Sequence, residues 1–422
     1  MARKAAENEE LEHIGVVSYS SSEQYFEMLY DNGRASLAVR DKYGKVTVVD
    51  RMVVNIGSAK VVIEPFPVSP HSLIAQRAVL LPSKPLSYKD QVTLLELIRQ
   101  FIHRFVELNP IDEQIAAHYV LLTWRYDSFG ALPYLRFHGD WGVGKSRALQ
   151  TVGALYYRPM FVAGALGPAP IFRMINRYHG TFILDEADNI SDDVITILNC
   201  GYKEGTPVIR CDKEAGYEPT SYVVYGPKVI GTRRRFKDVA LESRCLTIQM
   251  QARTRTDIPV TLSSFFWWKA KMLRNMLLTY RFNHLDIDKL VLQGSEDLEP
   301  RLQEICAPFI AVIGANPPLL AEIKSRMREL QGQLRQDGAV SVEGHVVVAA
   351  SEVINEGSSP TMKAIADRAS NAVGYPLSSQ RVGKIIRNLG LNISRPKGHV
   401  ALRQDENNLA KLKRLKERYD IK

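Results

Sequence analysis

One stretch constrains the fold of this chain more than any other. Residues 137–146 read FHGDWGVGKS, between the apolar run YLRF and the helical pattern RALQTVGALYY. Gly139, Gly144, Lys145 and Ser146 satisfy the pattern G-x-x-x-x-G-K-[ST], and a strand before it and a helix after it are the context the pattern needs. The requirement is geometric. Glycines let successive backbone N–H groups curl around phosphate oxygens, and the N-terminus of the following helix adds positive potential there. The loop Gly139, Asp140, Trp141, Gly142, Val143, Gly144, Lys145, Ser146 and Arg147 is therefore expected to cradle a nucleotide. Lys145 would reach the β- and γ-phosphates, and Ser146 would ligate Mg²⁺.

A second stretch completes the pair. In Gly180-Thr-Phe-Ile-Leu-Asp185-Glu186-Ala-Asp188 an apolar strand ends in two acids. Asp185 would hold Mg²⁺ through water, and Glu186 would polarise the attacking water as general base. Alone, such a strand is often just one leaving the core. Paired with the phosphate loop, it implies ATP and Mg²⁺ as the expected cofactors.

Length and composition set the frame. A chain of 422 residues exceeds one compact core and predicts several domains. No apolar run approaches the roughly 20 residues that span a bilayer. The opening MARKAAENEELEH has no apolar signal core, so a cytoplasmic location is expected, with no membrane partner. Cys200, Cys211, Cys245 and Cys306 are far apart and lack metal-ligand spacing, so reduced, mostly buried thiols are expected. The net charge of +9 modestly favours a polyanionic partner. Basic residues concentrate after Gly374, where few acids offset them.

Along the chain, GVVSYS, QYFEMLY, RASLAVRD, VTVVDRMVV and AKVVIEP alternate as strands, with turns at Asp31-Asn32-Gly33 and Tyr43-Gly44. Proline-bearing residues 65–85 read as a linker. From Tyr88 to about Arg125 the apolar period is helical. Strands and helices then alternate to about Met250, and further helices follow. Arg335–Ser341 reads as another linker.

Downstream features carry a family resemblance. In PKVIGTRRRF a strand, Val229 to Gly231, precedes Thr232, and VALESRCLTIQM places Arg244 after a short helix and before a strand. With the two acidic-strand and glycine-loop motifs, this resembles AAA+ P-loop ATPases, specifically the MCM-like and superfamily 3-like replicative helicases of mobile elements and phages. The sequence DEAD at 185–188 also invites comparison with RNA helicases, but Asn189 follows and their other motifs are missing. The resemblance spans roughly residues 85–405. It implies an α/β fold with a parallel P-loop sheet flanked by helices, a helical lid, a C-terminal winged helix and a small N-terminal β-rich module. The implied divisions are a module at 1–80, an ATPase core with its preceding helical segment at 81–260, a lid at 261–335, and a winged helix with basic tail at 340–422.

By that resemblance Thr232 looks like sensor 1, Arg244 like an arginine finger acting on a neighbouring subunit's γ-phosphate, and Arg301 like sensor 2. The alternatives are a helix-terminal Arg244 pairing with Asp238 or Glu242, and a surface Arg301 pairing with Asp297 or Glu304. A finger in trans implies a homo-oligomeric ring, expected as a hexamer. A hairpin around GTPVIRCDKEAGYEPTSYVVYGPK matches the position of a pore hairpin, with Arg210 and Lys213 as its DNA contacts; a plain structural hairpin is the alternative. In the C-terminal unit Ser379, Gln380, Arg381, Lys384 and Arg387 would face duplex DNA, with Arg395 and Lys397 on the wing. A winged helix used for protein contacts is the alternative there. The expected function is an ATP-driven DNA helicase or translocase acting in replication of a mobile element or phage. The rival is a non-unwinding AAA+ switch or loader on DNA.

Overall fold

The computed structural model describes residues 11–163, 166–211, 216–285, 298–395 and 398–418. Contacts divide the chain into two compact units, Met1–Lys324 and Ser325–Lys422.

The first unit begins with seven strands: β1 (Glu12–Val16), β2 (Ser18–Ser20), β3 (Gln24–Asp31), β4 (Arg34–Asp41), β5 (Val46–Val49), β6 (Met52–Ile56) and β7 (Ala59–Pro65). They form two sheets, ordered β2-β3-β4-β5 and β1-β7-β6. The β3–β4 turn uses Asn32 and Gly33, both at positive φ (47° and 90°), the conformation that a two-residue hairpin turn demands. VTVVDRMVV, expected as one run, breaks at Asp50-Arg51 into β5 and β6, which join different sheets.

Residues 65–85, expected as a linker, form an ordered strap. Val79 bridges Met160, Phe161 donates to the Ala78 carbonyl, and Leu80 donates to the Pro159 carbonyl. Two helices follow, α1 (Gln91–Phe105), capped by Asp90, and α2 (Pro110–Thr123), capped by Asn109 with proline at its first position.

The central sheet then assembles from β8 (Tyr134–His138), β9 (Met160–Ala163), β10 (Phe182–Asp185), β13 (Lys228–Thr232) and β14 (Cys245–Gln249). Every pairing is parallel and the order is β14-β8-β13-β10-β9. Connecting it are α3 (Lys145–Gly153), α4 (Pro168–Tyr178), α5 (Asp192–Cys200), the antiparallel hairpin β11 (Val208–Cys211) with β12 (Pro219–Tyr222), and α6 (Val239–Glu242). The strands are mostly buried, with α3 packed on β8, β10 and β13. The N-terminal strands share this core: Phe26, Leu37 and Ile63 belong to the same buried cluster as Val162, Ile171 and Phe182.

Charge ties the layers together as well. Glu27 on β3 is 1% exposed and pairs with Arg158, which precedes β9, and with Arg281 at 2.8 Å. Arg281 belongs to α7 (Ser264–Phe282) and also reaches Asp127 at 2.5 Å. The Tyr25 and Tyr157 hydroxyls donate to the same Glu27 oxygen. The expected lid helix α7 is thus anchored, by this network and by Phe266 packing on Phe101 and Phe105. Next come α8 (Pro300–Ile313), which packs on α2, and α9 (Pro317–Ala339), which runs through most of the expected linker at 335–341.

The second unit contains α10 (Val342–Asn355), α11 (Met362–Val373), α12 (Ser379–Asn388), β15 (Ile393–Ser394), β16 (Ala401–Leu402) and α13 (Glu406–Arg418). Thr361 and Ser378 cap α11 and α12 through their side-chain oxygens. The two short strands pair antiparallel, in the place expected of a wing. The tail helix α13 buries Leu412 and Leu415 in this unit's core. Among the described residues no helix is long and apolar enough to cross a membrane. Cys245 and Cys306 are buried, whereas Cys211 is exposed on the hairpin and Cys200 is half-buried.

Candidate active site

The phosphate loop leaves β8 at His138 and enters α3 at Lys145, with Gly142 and Gly144 at φ 79° and 91°. Those values need glycine, since an L side chain there clashes with its own backbone. Gly139 is required for a different reason. A Cβ added to it would meet Val143 Cγ2 at 2.9 Å and the Met250 carbonyl oxygen at 3.0 Å, where the chain leaving β14 crosses the loop. Gly139→Ala should therefore push the loop out of register and weaken the nucleotide binding expected of it, by about tenfold or more, the effect of misplacing one charge-assisted N–H contact. Isothermal titration of the variant, with its melting temperature measured alongside, checks this; affinity should fall while the fold persists.

Lys145 donates to the Gly139 and Asp140 carbonyls at 2.8 and 2.6 Å, curled over the loop. Asp140 receives the Trp141 N–H, and the Trp141 ring is 84% exposed. Ser146 is exposed at the start of α3. The guanidinium of Arg147 is engaged by the Val260 carbonyl.

Register brings the second motif to the same end of the sheet. β10 pairs with β13, which pairs with β8, so Asp185, Thr232 and His138 terminate neighbouring strands. Asp185 accepts the Glu186 N–H at 2.9 Å, and Glu186 is exposed in a left-handed turn at φ 56°. Gly231 makes room for the acid: a Cβ there would meet Asp185 Oδ1 at 2.9 Å. Thr232 is fully buried, and its Oγ1 has no hydrogen-bond partner among the described residues. Gly139 donates to the Thr232 carbonyl, which ties the end of β13 to the start of the loop. Ser146 and Asp185 line one cavity of about 510 Å³, walled by Leu149, Phe161, Ile183 and Trp267.

Sequence reading missed several supports. Asp188 accepts the N–H groups of Arg233 and Arg234 at 2.8 and 2.9 Å and pairs with the Arg233 side chain, so it ties the acidic turn to the loop after Thr232. Its only sequence signal is the last letter of DEAD. Arg136 within β8 forms a buried pair with Glu242 through contacts of 2.6 and 2.7 Å. Lys228, fully buried, donates to the carbonyls of Gly201, Val224 and Gly226 and so closes the base of the β11–β12 hairpin. Burial pushes its pKa down to about 7, while one acceptor for each N–H supports the ammonium.

Arg244 and Arg301 sit elsewhere. Cys245 pairs with Tyr134 at the start of both strands, so Arg244 lies at the opposite end of β14 from the phosphate loop, roughly 16 Å along the strands. It is 6% exposed, bonded to Asn199 and the Ala240 carbonyl, with the Tyr202 ring 4.2 Å from its guanidinium. Neither Asp238 nor Glu242 is its hydrogen-bond partner; Asp238 instead accepts from Asn199. Arg301 donates to the same Ala240 carbonyl at 2.9 Å, so it stands beside Arg244 and not at its own chain's Lys145. Burial, followed by repulsion from Arg244, lowers its pKa.

Of the residues expected on nucleic acid, Arg210 is exposed on β11, 5.8 Å from the Phe172 ring. Lys213 and Lys397 lie outside the described residues. Gln380, Arg381, Lys384 and Arg387 share the exposed face of α12, opposite the buried Val382, Ile385 and Ile386, and Arg395 is exposed after β15. Ser379 is exposed at the first turn.

No protein-family model matches the chain, and no curated protein matches it. Solved structures similar to it include the NrS-1 C-terminal region, at 9% identity and TM-score 0.38, covering 89% of this chain and 96% of that one. Another is the SCCmec type IV Cch active helicase, at 10% identity and TM-score 0.36, covering 94% and 97%. The JCV helicase follows at 12% identity and TM-score 0.28, covering 64% and 66%. The chain is an α/β protein whose five-stranded parallel sheet, flanked by helices, carries the glycine loop at the C-terminal end of β8.

Proposed function

We propose that this chain is an Mg·ATP-dependent DNA translocase or helicase of the AAA+ class, working as a ring oligomer in replication of a mobile element or phage. One observation carries the reading: the glycine loop with Lys145 and Ser146, the acidic pair Asp185 and Glu186, and Thr232 all follow or end adjacent parallel strands at one end of the sheet, and Ser146 and Asp185 line one cavity. Lys145 exchanges the loop carbonyls for phosphate oxygens, and the loop N–H groups hold the same anion. Ser146 and Asp185 would hold Mg²⁺, which would supply charge neutralisation at the phosphates. Glu186, exposed at its turn, takes a proton from the attacking water. Thr232 donates its hydroxyl towards that water or the terminal phosphate.

Arg244, with Arg301 beside it, is assigned to a neighbouring subunit's nucleotide. Its burial against Asn199 and Tyr202 means that docking of the neighbour must draw it out. That enclosure also favours the second reading, a switch that assembles on DNA and hydrolyses only then. Strand displacement from a forked duplex separates the two: displacement supports the helicase, and DNA-stimulated hydrolysis without it supports the switch.

The C-terminal unit is read as a winged helix that binds DNA through the basic face of α12, and the hairpin as the moving contact. Affinity for duplex DNA should fall steeply as salt rises. Each of Lys384→Ala and Arg387→Ala should flatten the slope of log affinity against log salt by roughly one. Fluorescence anisotropy across a salt series measures both slopes.

A further inference from the structure

One charged side chain in the nucleotide cavity has no role in the mechanism above. Arg77, on the strap, lines the cavity that contains Ser146 and Asp185. Backbone pairing puts it there. The strap runs antiparallel to β9 through the Val79–Met160 bridge and the bond from Phe161 to the Ala78 carbonyl, so Arg77 stands near Val162. On the other side of β9, Ala163 pairs with Asp185. Two strand spacings, about 10 Å, thus separate the Arg77 and Asp185 backbones. An extended arginine, a phosphate oxygen and a carboxylate fill such a gap together.

The local backbone argues against a merely structural residue. Arg77 sits at φ 60°, a left-handed conformation that glycine adopts without strain and an arginine does not. Its N–H bonds to the Ile74 carbonyl, a contact that needs no particular side chain. Among the described residues its exposed guanidinium has no hydrogen bond or ion pair. Beside it the cavity is walled by Phe161, Val162 and Ile183.

We infer that Arg77 is a nucleotide-contacting residue supplied in cis by the N-terminal strap, its planar fork binding the terminal phosphate on the Asp185 side. Arginine suits that task because its N–H groups match two phosphate oxygens at once. The inference rests on the ATPase reading and adds to it a link from the N-terminal strap to nucleotide state.

The test is Arg77→Gly in the full chain, with binding of ADP and of a non-hydrolysable ATP analogue measured beside the melting temperature without nucleotide. Glycine fits the left-handed backbone, so the melting temperature should hold or rise. Affinity for the analogue should fall roughly tenfold or more, the effect of losing a charge-assisted pair, while ADP affinity stays unchanged. Arg77→Lys should recover part of the loss. Unchanged analogue affinity, or equal weakening of both nucleotides, overturns the assignment while the ATPase reading stands. A wild-type chain that binds neither nucleotide overturns both.

Discussion

Glu27→Ala should cost the protein about 3–5 kcal/mol, because it leaves two buried arginines without their carboxylate. Arg158 is 1% exposed, and the Arg281 side chain 3%. Arg281 would keep Asp127 and the Trp124 carbonyl, and Arg158 would keep only neutral acceptors: Ser18, Val17 and Tyr178. Thermal and urea unfolding of the variant measure the loss. The pH dependence has a definite sign. Burial pulls the Glu27 carboxyl up, but Arg158 and then Arg281 outweigh it and hold the group below its ordinary 4.5. Its contribution is therefore present above that value and is lost as pH falls below it. Glu27→Gln should lack this part of the acid sensitivity. A wild-type acid midpoint shared by Glu27→Gln would remove Glu27 from the account.

The largest functional effect is expected at Lys145. Lys145→Ala removes the side-chain cation that donates to the loop's own carbonyls and can exchange them for a ligand, whereas Arg147 is tied to Val260. Losing a positioned charge on a transferring phosphoryl group costs roughly 100- to 1,000-fold in turnover. ATP affinity should fall with it, because the same ammonium meets the phosphates in the ground state. Steady-state hydrolysis and equilibrium binding on one preparation separate the two effects. Folding should be unaffected, as Lys145 contacts only carbonyls of its own loop.

Much of this site was legible because its determinants are local. A strand, a glycine loop and a helix follow one another within residues 134–153, and Asp185, Glu186 and Thr232 each end an apolar run. The N-terminal strands were readable from alternation for the same reason. What stayed hidden depends on distant partners. Glu27 reads as an ordinary polar position on a half-buried strand, yet its arginines lie 131 and 254 residues away. VTVVDRMVV looks continuous, because nothing within it tells that β5 and β6 join different sheets. The strap's prolines signal a linker, while Val79 and Leu80 bury themselves against β9 and its entry. In the tail, basic residues dominate the composition and mask the two leucines that bury one face of α13. The sequence sets Arg244 between a short helix and a strand, but its enclosure by Tyr202 and Asn199 comes from residues brought in by α5 and the hairpin's base.

Glu186 is assigned to activate water against ATP held by the loop. Turnover of Mg·ATP by the wild-type chain and by Glu186→Gln, each with and without DNA and each beside its ATP affinity, tests it most directly. Hydrolysis by the wild type should be stimulated by DNA. The variant should bind ATP as tightly as the wild type, with turnover at least about 100-fold lower. Wild-type turnover in Glu186→Gln, or no ATP binding by either chain, would contradict it.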